Sequence, residues 1–487
     1  MILNNRLHNI SLNLHTVSGV ILCVILFVIF YCGAFALFKN DIAAWEERVD
    51  LQKELPSGTN LLDDVYHNLQ NKGNYQNREI LIFQFEDKSN FKLFVAGDST
   101  YKREFFHFTD RLKERPNYTS LNDLLYHIHY LRPIPIAGIY IAGIVCLLFV
   151  FSIITGVLVQ LKKFFKDFFL LRKRKKRLTF LKDSHVALGV ITLPFQLMFA
   201  VTGGVFCLLL ILIIPQVLVQ FNGDTSKMEK YFEDVPATVE SLNKPLHFNE
   251  LSSFVNEFEM ENEVSLNYLR IYHFGDENMQ LLMAGRKDEV DSEIKSLYQA
   301  STGVLVEHYS NEEAALFEHV NNWLSDLHYA NFGGVAVKFI YFILALISCV
   351  VFYSGGLLWI ETRKKKLKRI DFYFEGIIWG LIVAVIFSFL MRYWVASVTT
   401  LFYGVWILWA VLVFVIGGNK YVRISKLVAL ALTLIFLTHY FLAEDFNSIH
   451  KLTIPFMCIA AMVVFILYQQ TALFNIKKTQ TTRTNKE

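Results

Sequence analysis

Four histidines stand in two matched pairs. His15 precedes Gly19 by four residues and Gly33 by eighteen, and His185 precedes Gly189 by four and Gly203 by eighteen. His129-Tyr130 precedes Gly156 by twenty-seven residues, in Ile-Thr-Gly-Val-Leu, and His328-Tyr329 precedes Gly355 by twenty-seven, in Tyr-Ser-Gly-Gly-Leu. A neutral imidazole ligates a metal through one ring nitrogen while a neighbouring hydroxyl or carbonyl holds the other. Two such rings facing each other bind one haem iron from both sides and leave no open position for substrate, which favours electron transfer over oxygen chemistry.

The elements that must position these residues are membrane spans. Of 487 residues, 54% are hydrophobic, 15% aromatic and only 19% charged, with 44 Phe and 22 Tyr. That composition excludes a soluble chain of two or three domains. Apolar runs at 11–37, 134–160, 186–214, 333–360, 374–391, 395–417, 425–442 and 452–470 give eight helices. The first follows Arg6 but is too long for a signal peptide and has no small-residue cleavage site, so it is read as retained. Neither a Walker A loop nor GxGxxG after a strand occurs, and the net charge of +3 argues against nucleic acid. Cys23, Cys32, Cys146, Cys207, Cys349 and Cys458 lie in apolar segments without a CxxC pair, so neither disulfides nor a thiolate metal site is expected.

Lys162 to Lys182, between spans two and three, and Arg363 to Arg369, after span four, are strongly basic. The positive-inside rule places both in the cytoplasm, and Lys420, Arg423, Lys477 and Lys478 agree, so both termini are expected there. Such runs also suit acidic lipid. The polar segments 38–132 and 215–332 then lie outside. Each carries a hairpin signal, Ile80–Phe85 with Phe91–Val95 and Leu269–Phe274 with Met279–Met283, which fits two small α/β modules.

The halves repeat. His-Thr-Val-Ser-Gly-Val-Ile (15–21) answers His-Val-Ala-Leu-Gly-Val-Ile (185–191), and Phe-Val-Ala-Gly (94–97) answers Leu-Met-Ala-Gly (282–285). The expected fold class is therefore an α-helical integral membrane protein: a duplicated four-helix transmembrane bundle, two extracytoplasmic α/β modules and four further C-terminal helices. The domain boundaries are span one at 1–37, a module at 38–132, and spans two and three with their basic loop at 133–214. A second module follows at 215–332, span four with its loop at 333–369, and spans five to eight with the tail at 370–487.

On that topology His15 and His185 begin outward-running helices near the cytoplasmic face, and His129 and His328 begin inward-running helices near the outer face. Two b-type haems are expected, the inner iron held by His15 and His185 and the outer by His129 and His328. Gly19, Gly33, Gly189, Gly203, Gly156, Gly355 and Gly356 would leave room for the macrocycles. A lone histidine at a helix end is commonly an interfacial hydrogen-bonder, and small residues commonly serve helix packing alone. His127 competes with His129, but Ser325-Asp326-Leu327 precedes His328 with no second histidine. His439 and His450 have no repeat partners and are read as structural. With a hydrocarbon core of about 30 Å, ring edges a dozen or so Å apart would permit tunnelling between the two levels. Asp63, Asp64, Glu257, Glu259, Glu261, His107, His247, His273 and His308 have two readings, binding iron or keeping the external surfaces soluble, of which the second is preferred. No catalytic residue is assigned.

The chain resembles the PepSY-associated transmembrane family of iron-regulated membrane proteins. The features are Leu14-His15 with Gly19, Ile128-His129-Tyr130, His185 with Leu188-Gly189 and Thr202-Gly203, and Leu327-His328-Tyr329 with Gly333-Gly334 and Ser354-Gly355. They cover residues 5–365. The aromatic often found two places after the first family histidine is Val17 here, and the usual Thr-Gly late in span one is Cys32-Gly33. The resemblance implies PepSY-like modules, haem in the bundle, location in a bacterial inner membrane and reduction of a periplasmic ferric chelate, or siderophore, that releases ferrous iron. The donor would be a cytoplasmic reductase or a quinol. Spans five to eight exceed the smaller members and are a place for a partner or quinone.

Two other classes remain. A carrier of a chelate or other solute fits parallel repeats and eight helices, although the core lacks internal carboxylates, Glu375 and Arg392 sit at span ends, and no broken helix is apparent. A membrane-anchored binding or regulatory protein is the other. A peptidase is not indicated, since neither HExxH nor GxSxG occurs.

Overall fold

Apolar length builds most of the chain into helices. The computed structural model describes residues 5–46, 61–72, 75–84, 91–96, 101–106, 112–113, 120–161, 177–220, 237–246, 248, 251–287, 291–309, 316–363, 370–416, 419–443, 454 and 458. Span eight apart from Ile454 and Cys458, the basic loops 162–176 and 364–369, the first hairpin turn, His107, His247, His450, Lys477 and Lys478 lie outside the described residues, as do the side chains of Asp64 and Lys420. The described chain divides into two units, one of residues 1–46, 119–212 and 335–487, the other of 47–118 and 213–334.

The first unit holds the membrane helices. They are α1 (Asn5–Ala36), the short α2 (Lys39–Glu46) and α4 (Leu121–His129), α5 (Ala137–Gln160), α6 (Arg177–Ile191), most of α7 (Leu193–Gln220), α10 (Gly334–Arg363), α11 (Ile370–Met391), α12 (Val398–Ile416) and α13 (Asn419–Ala443). Six of these are long and apolar enough to cross a bilayer, and α6 with α7 makes a seventh span bent by 66°. The protein is a multi-pass integral membrane protein.

The bend corrects the expectation of an unbroken third helix. Pro194 has no N–H for the carbonyl of Val190 and its ring crowds that turn, whereas α1 has Val24 at the equivalent position and runs straight through. The break is short and satisfied: Thr192 N–H donates to Leu188 O (3.0 Å), and Gln196 N–H to Thr192 O (2.8 Å). Buried Thr192 also receives the Gln196 side-chain amide at 2.8 Å. One non-helical residue opens no unwound stretch of the kind that coordinates ions in carriers.

The second unit contains α3 (Leu61–Lys72), α8 (Leu251–Asn262), α9 (Leu316–Tyr329) and eight strands. The strands are β1 (Ile80–Gln84), β2 (Phe91–Ala96), β3 (Tyr101–Phe106), β4 (Leu112–Lys113), β5 (Ser265–Tyr272), β6 (Gln280–Arg286), β7 (Ile294–Gln299) and β8 (Leu305–Tyr309). Both expected hairpins form, but the two polar segments do not make separate sheets. They share one, in the order 4-3-2-1-5-6-7-8.

Its centre is the antiparallel pairing of β1 with β5, where Ile80 faces Ile271 and Ile82 faces Leu269. All four side chains are fully buried in a core that includes Leu62, Tyr66 and Leu69 of α3 and Leu251, Val255 and Phe258 of α8. Separate modules would leave β1 and β5 as edges with unpaired backbone and apolar faces. Pairing removes both edges, and each buried side chain contributes about 1.5–3 kcal/mol. The strand order reads the same from either end, the pattern expected when equivalent segments meet about a local two-fold axis.

Candidate functional site

The site is built first from α1, α5, α6 and α10. His15 of α1 and His185 of α6 face each other with ring centroids 6.0 Å apart and planes inclined at 49°. Each ring is fixed from a different helix. His15 Nδ1 donates to the carbonyl of Ser152 on α5 (2.9 Å), and His185 Nδ1 donates to the carbonyl of Val351 on α10 (3.0 Å). Because a carbonyl only accepts, each Nδ1 carries the proton and each Nε2 presents a lone pair.

The acceptors are themselves equivalent, each four residues before a glycine. A Cβ on Gly156 would stand 2.9 Å from His15 Cε1, and one on Gly355 would stand 3.0 Å from His185 Cε1. These glycines therefore seat the histidines rather than a macrocycle, which corrects their expected role. Gly33 likewise backs His129, and Gly356 meets Phe374. Gly19 and Gly189, one turn beyond His15 and His185, do leave space: a Cβ on Gly19 would meet nothing within 4 Å, and one on Gly189 only Val351 Cγ1 at 3.7 Å.

That arrangement fits haem. Two metal–imidazole bonds of about 2 Å, with roughly 1 Å from nitrogen to ring centre at each end, need centroids roughly 6 Å apart. Among the described residues no group of three or more His, Cys, Asp or Glu side chains converges as a metal site. Two imidazoles from this chain would leave the remaining positions of a bound metal to other ligands, which a macrocycle supplies.

His129 was expected to begin an inward-running span. It instead ends the short helix α4, and α5 starts eight residues later. Ser120 caps α4, its hydroxyl accepting from Asp123 N–H (3.2 Å), and Leu121, Leu124, Leu125 and Ile128 pack into the core beside α1. The half-buried His129 ring donates from Nδ1 to the carbonyl of Ile29 on α1 (2.8 Å). His127 lies against Tyr126 and Tyr130 instead. After His129 the chain closes a Schellman turn: Leu131 takes φ 58°, Leu131 N–H donates to Ile128 O (3.1 Å) and Arg132 N–H to His127 O (3.0 Å).

His328, in the second unit, also falls at a helix end, in the last turn of α9, with Ala330 at φ 53° and Asn331 N–H donating to Asp326 O (3.2 Å). These are the positions equivalent to Leu131, Arg132 and His127. Left-handed Leu and Ala each cost about 1–2 kcal/mol, so tertiary packing must hold both turns. Buried Asp326 anchors α9 to the sheet by an ion pair with Arg286 of β6 (2.7 Å), its Oδ2 accepting from Arg286 Nη2 (2.8 Å) and from Asp291 N–H (2.9 Å).

Fourteen residues of unbroken α1 separate His15 from Ile29, about 21 Å at 1.5 Å per residue. Near the Ile29 end of α1 four rings meet, one from each of α1, α5, α7 and α10. Phe30 contacts Phe352 (5.1 Å), Phe149 (5.8 Å) and Phe199 (6.1 Å), and Phe149 contacts Phe352 (5.4 Å). Phe30 adjoins the carbonyl that holds His129, and Phe352 adjoins the one that holds His185. The composition showed many phenylalanines but gave no sign that these four converge.

Several of the acids and histidines of the second unit have structural partners. Asp63 accepts from Ser252 N–H (2.9 Å) and Oγ (2.5 Å), tying α3 to α8, and Glu259 accepts from Leu266 N–H (2.9 Å). His273 Nε2 bonds Val239 O (2.9 Å), and His308 Nδ1 bonds Ser296 Oγ (2.9 Å). Glu257 and Glu261 are exposed. In the membrane unit His439 packs on Trp394.

No curated protein matches this chain. The model of the PepSY-associated TM region matches residues 12–362, from just before His15 to the end of α10, and so includes all four histidines. A match over more than half of the sequence shows the family, and the chain belongs to the PepSY-associated TM region family.

Proposed function

We propose that this protein is a di-haem transmembrane electron-transfer protein that carries electrons from a cytoplasmic or membrane donor to a ferric chelate outside. The observation that carries the reading is the closeness of the His15 and His185 rings, each with Nδ1 committed to a carbonyl and Nε2 left with its lone pair. Haem supplies reversible one-electron chemistry at iron, and two axial imidazoles close the metal to other ligands.

The chain's own residues do the rest. Ser152 and Val351 fix the tautomers of the first pair, and Ile29 fixes that of His129. The pairing of His129 with His328 at a second haem rests on the repeat in the sequence. The Phe30, Phe149, Phe199 and Phe352 rings keep water out of the intervening layer, so that electrons cross it without protons or solute. One electron reduces one ferric ion to ferrous, which binds the chelate less tightly and is released. A reductase or a quinol on the cytoplasmic side is the electron source, the membrane is the inner membrane, and both termini are cytoplasmic. The substrate is a siderophore or similar chelate.

The bent third span adds to the features that fit a solute carrier, and its satisfied backbone weighs against that. The test is reconstitution in liposomes with reductant sealed inside and a ferric chelate outside. Ferrous iron appearing outside, lost in His15→Ala and His185→Ala, supports electron transfer. Chelate accumulating inside without reductant would make the protein a carrier.

A further inference from the structure

Beyond the family's segment lies a contact that reaches back to the histidine level. Arg392 follows α11 directly, and its Nε donates to Glu46 Oε1, with both side chains buried. The Glu46 carboxylate also accepts from the backbone N–H groups of Leu121 (2.7 Å) and Asn122 (3.1 Å), the first two residues of α4. Eight residues on, α4 ends at His129. We propose that the Glu46–Arg392 pair positions His129, so that the helices added after residue 362 hold the histidine-bearing helix in register.

The chemistry requires all three parts. The opening N–H groups of a helix have no intrahelical acceptor and carry partial positive charge, so a carboxylate suits them. A buried carboxylate still needs a full cation, and Arg392 provides it. Neighbouring groups fix the angle: Asn122 Nδ2 donates to Lys39 O (3.1 Å), Tyr393 OH donates to Trp45 O, and Trp45 packs on Phe389 of α11 and Phe436 of α13. Position matters at the far end of α4, because a Cβ on Gly33 would stand 2.5 Å from His129 Nδ1. A small slide or roll of α4 breaks the His129–Ile29 hydrogen bond.

The proposal deepens the haem reading by naming what sets the position of one ligand, but its test needs no haem. Full-length protein from haem-limited cells, with 15N-labelled histidine, is compared as wild type, Glu46→Gln, Arg392→Gln and Arg392→Lys by amide hydrogen exchange and ring-nitrogen spectra. The expected result for Glu46→Gln and Arg392→Gln is at least tenfold faster exchange across 121–129 and a changed His129 signal. The His15 and His185 signals and the exchange of α11 stay as in wild type, and Arg392→Lys restores most of the wild-type behaviour. Unchanged exchange across 121–129, loss spread equally over α1 and α11, or no recovery with Arg392→Lys would each overturn the proposal. A wild-type protein that never takes up haem would end the electron-transfer reading and leave these readouts standing.

Discussion

Gly156 occupies a place on α5 where a side chain would displace His15: its absent Cβ would lie 2.9 Å from Cε1 and 3.1 Å from Nδ1 of that ring. Gly156→Ala should therefore push His15 off Ser152, and Gly355→Ala should do the same to His185 against Val351. The cost of such overpacking is about 1–3 kcal/mol. Haem quantification should show loss of the first site with the second retained. Gly404→Ala on α12, where a Cβ meets nothing within 4 Å, is the control, and should leave haem content unchanged and stability slightly raised.

The four-ring cluster makes a kinetic prediction. Phe352→Leu keeps the layer apolar and costs on the order of 1 kcal/mol. It loses the edge contacts to Phe30 and Phe149. Both haems should bind with unaltered spectra, while stopped-flow reduction of the external chelate slows. A variant with wild-type rate would show that the rings only pack.

Asp276 gives the sheet a pH dependence. Its fully buried carboxylate accepts from Leu242 N–H (3.0 Å), Lys244 N–H (3.0 Å), Asn278 N–H (2.9 Å) and the Ser241 hydroxyl (3.1 Å). Burial by itself would raise its pKa, but these donors outweigh burial and hold it below the ordinary carboxylate range. A carboxylate depressed in the folded state contributes stability that is complete above the unfolded pKa of about 3.9 and is lost as pH falls through the folded value. Exchange of the 241–244 and 276–279 amides should stay slow from neutral pH down to that value and accelerate below it. Asp276→Asn should cost about 1–3 kcal/mol at neutral pH.

The spans were legible because bilayer thickness demands long apolar runs, and seven of the eight expected positions carry helices. The paired histidines were legible because a repeat keeps spacing. Their acceptors were not, since any residue offers a carbonyl and only the glycine four places later hinted at Ser152 and Val351. Pro194 was visible in the third apolar run, yet proline is tolerated in membrane helices and does not announce a 66° bend. The β1–β5 seam joins segments almost two hundred residues apart, and alternation within a strand names its buried face without naming its neighbour. Arg392 read as an ordinary charge at a span end, and nothing in the sequence pairs it with Glu46, 346 residues away.

The most direct measurement is the visible spectrum of the purified protein, oxidised and then reduced with dithionite, with pyridine-haemochrome quantification. Two b-type haems per chain with low-spin bands, falling to one in His15→Ala or His185→Ala, is the predicted result. A colourless protein from cells well supplied with haem would contradict the account.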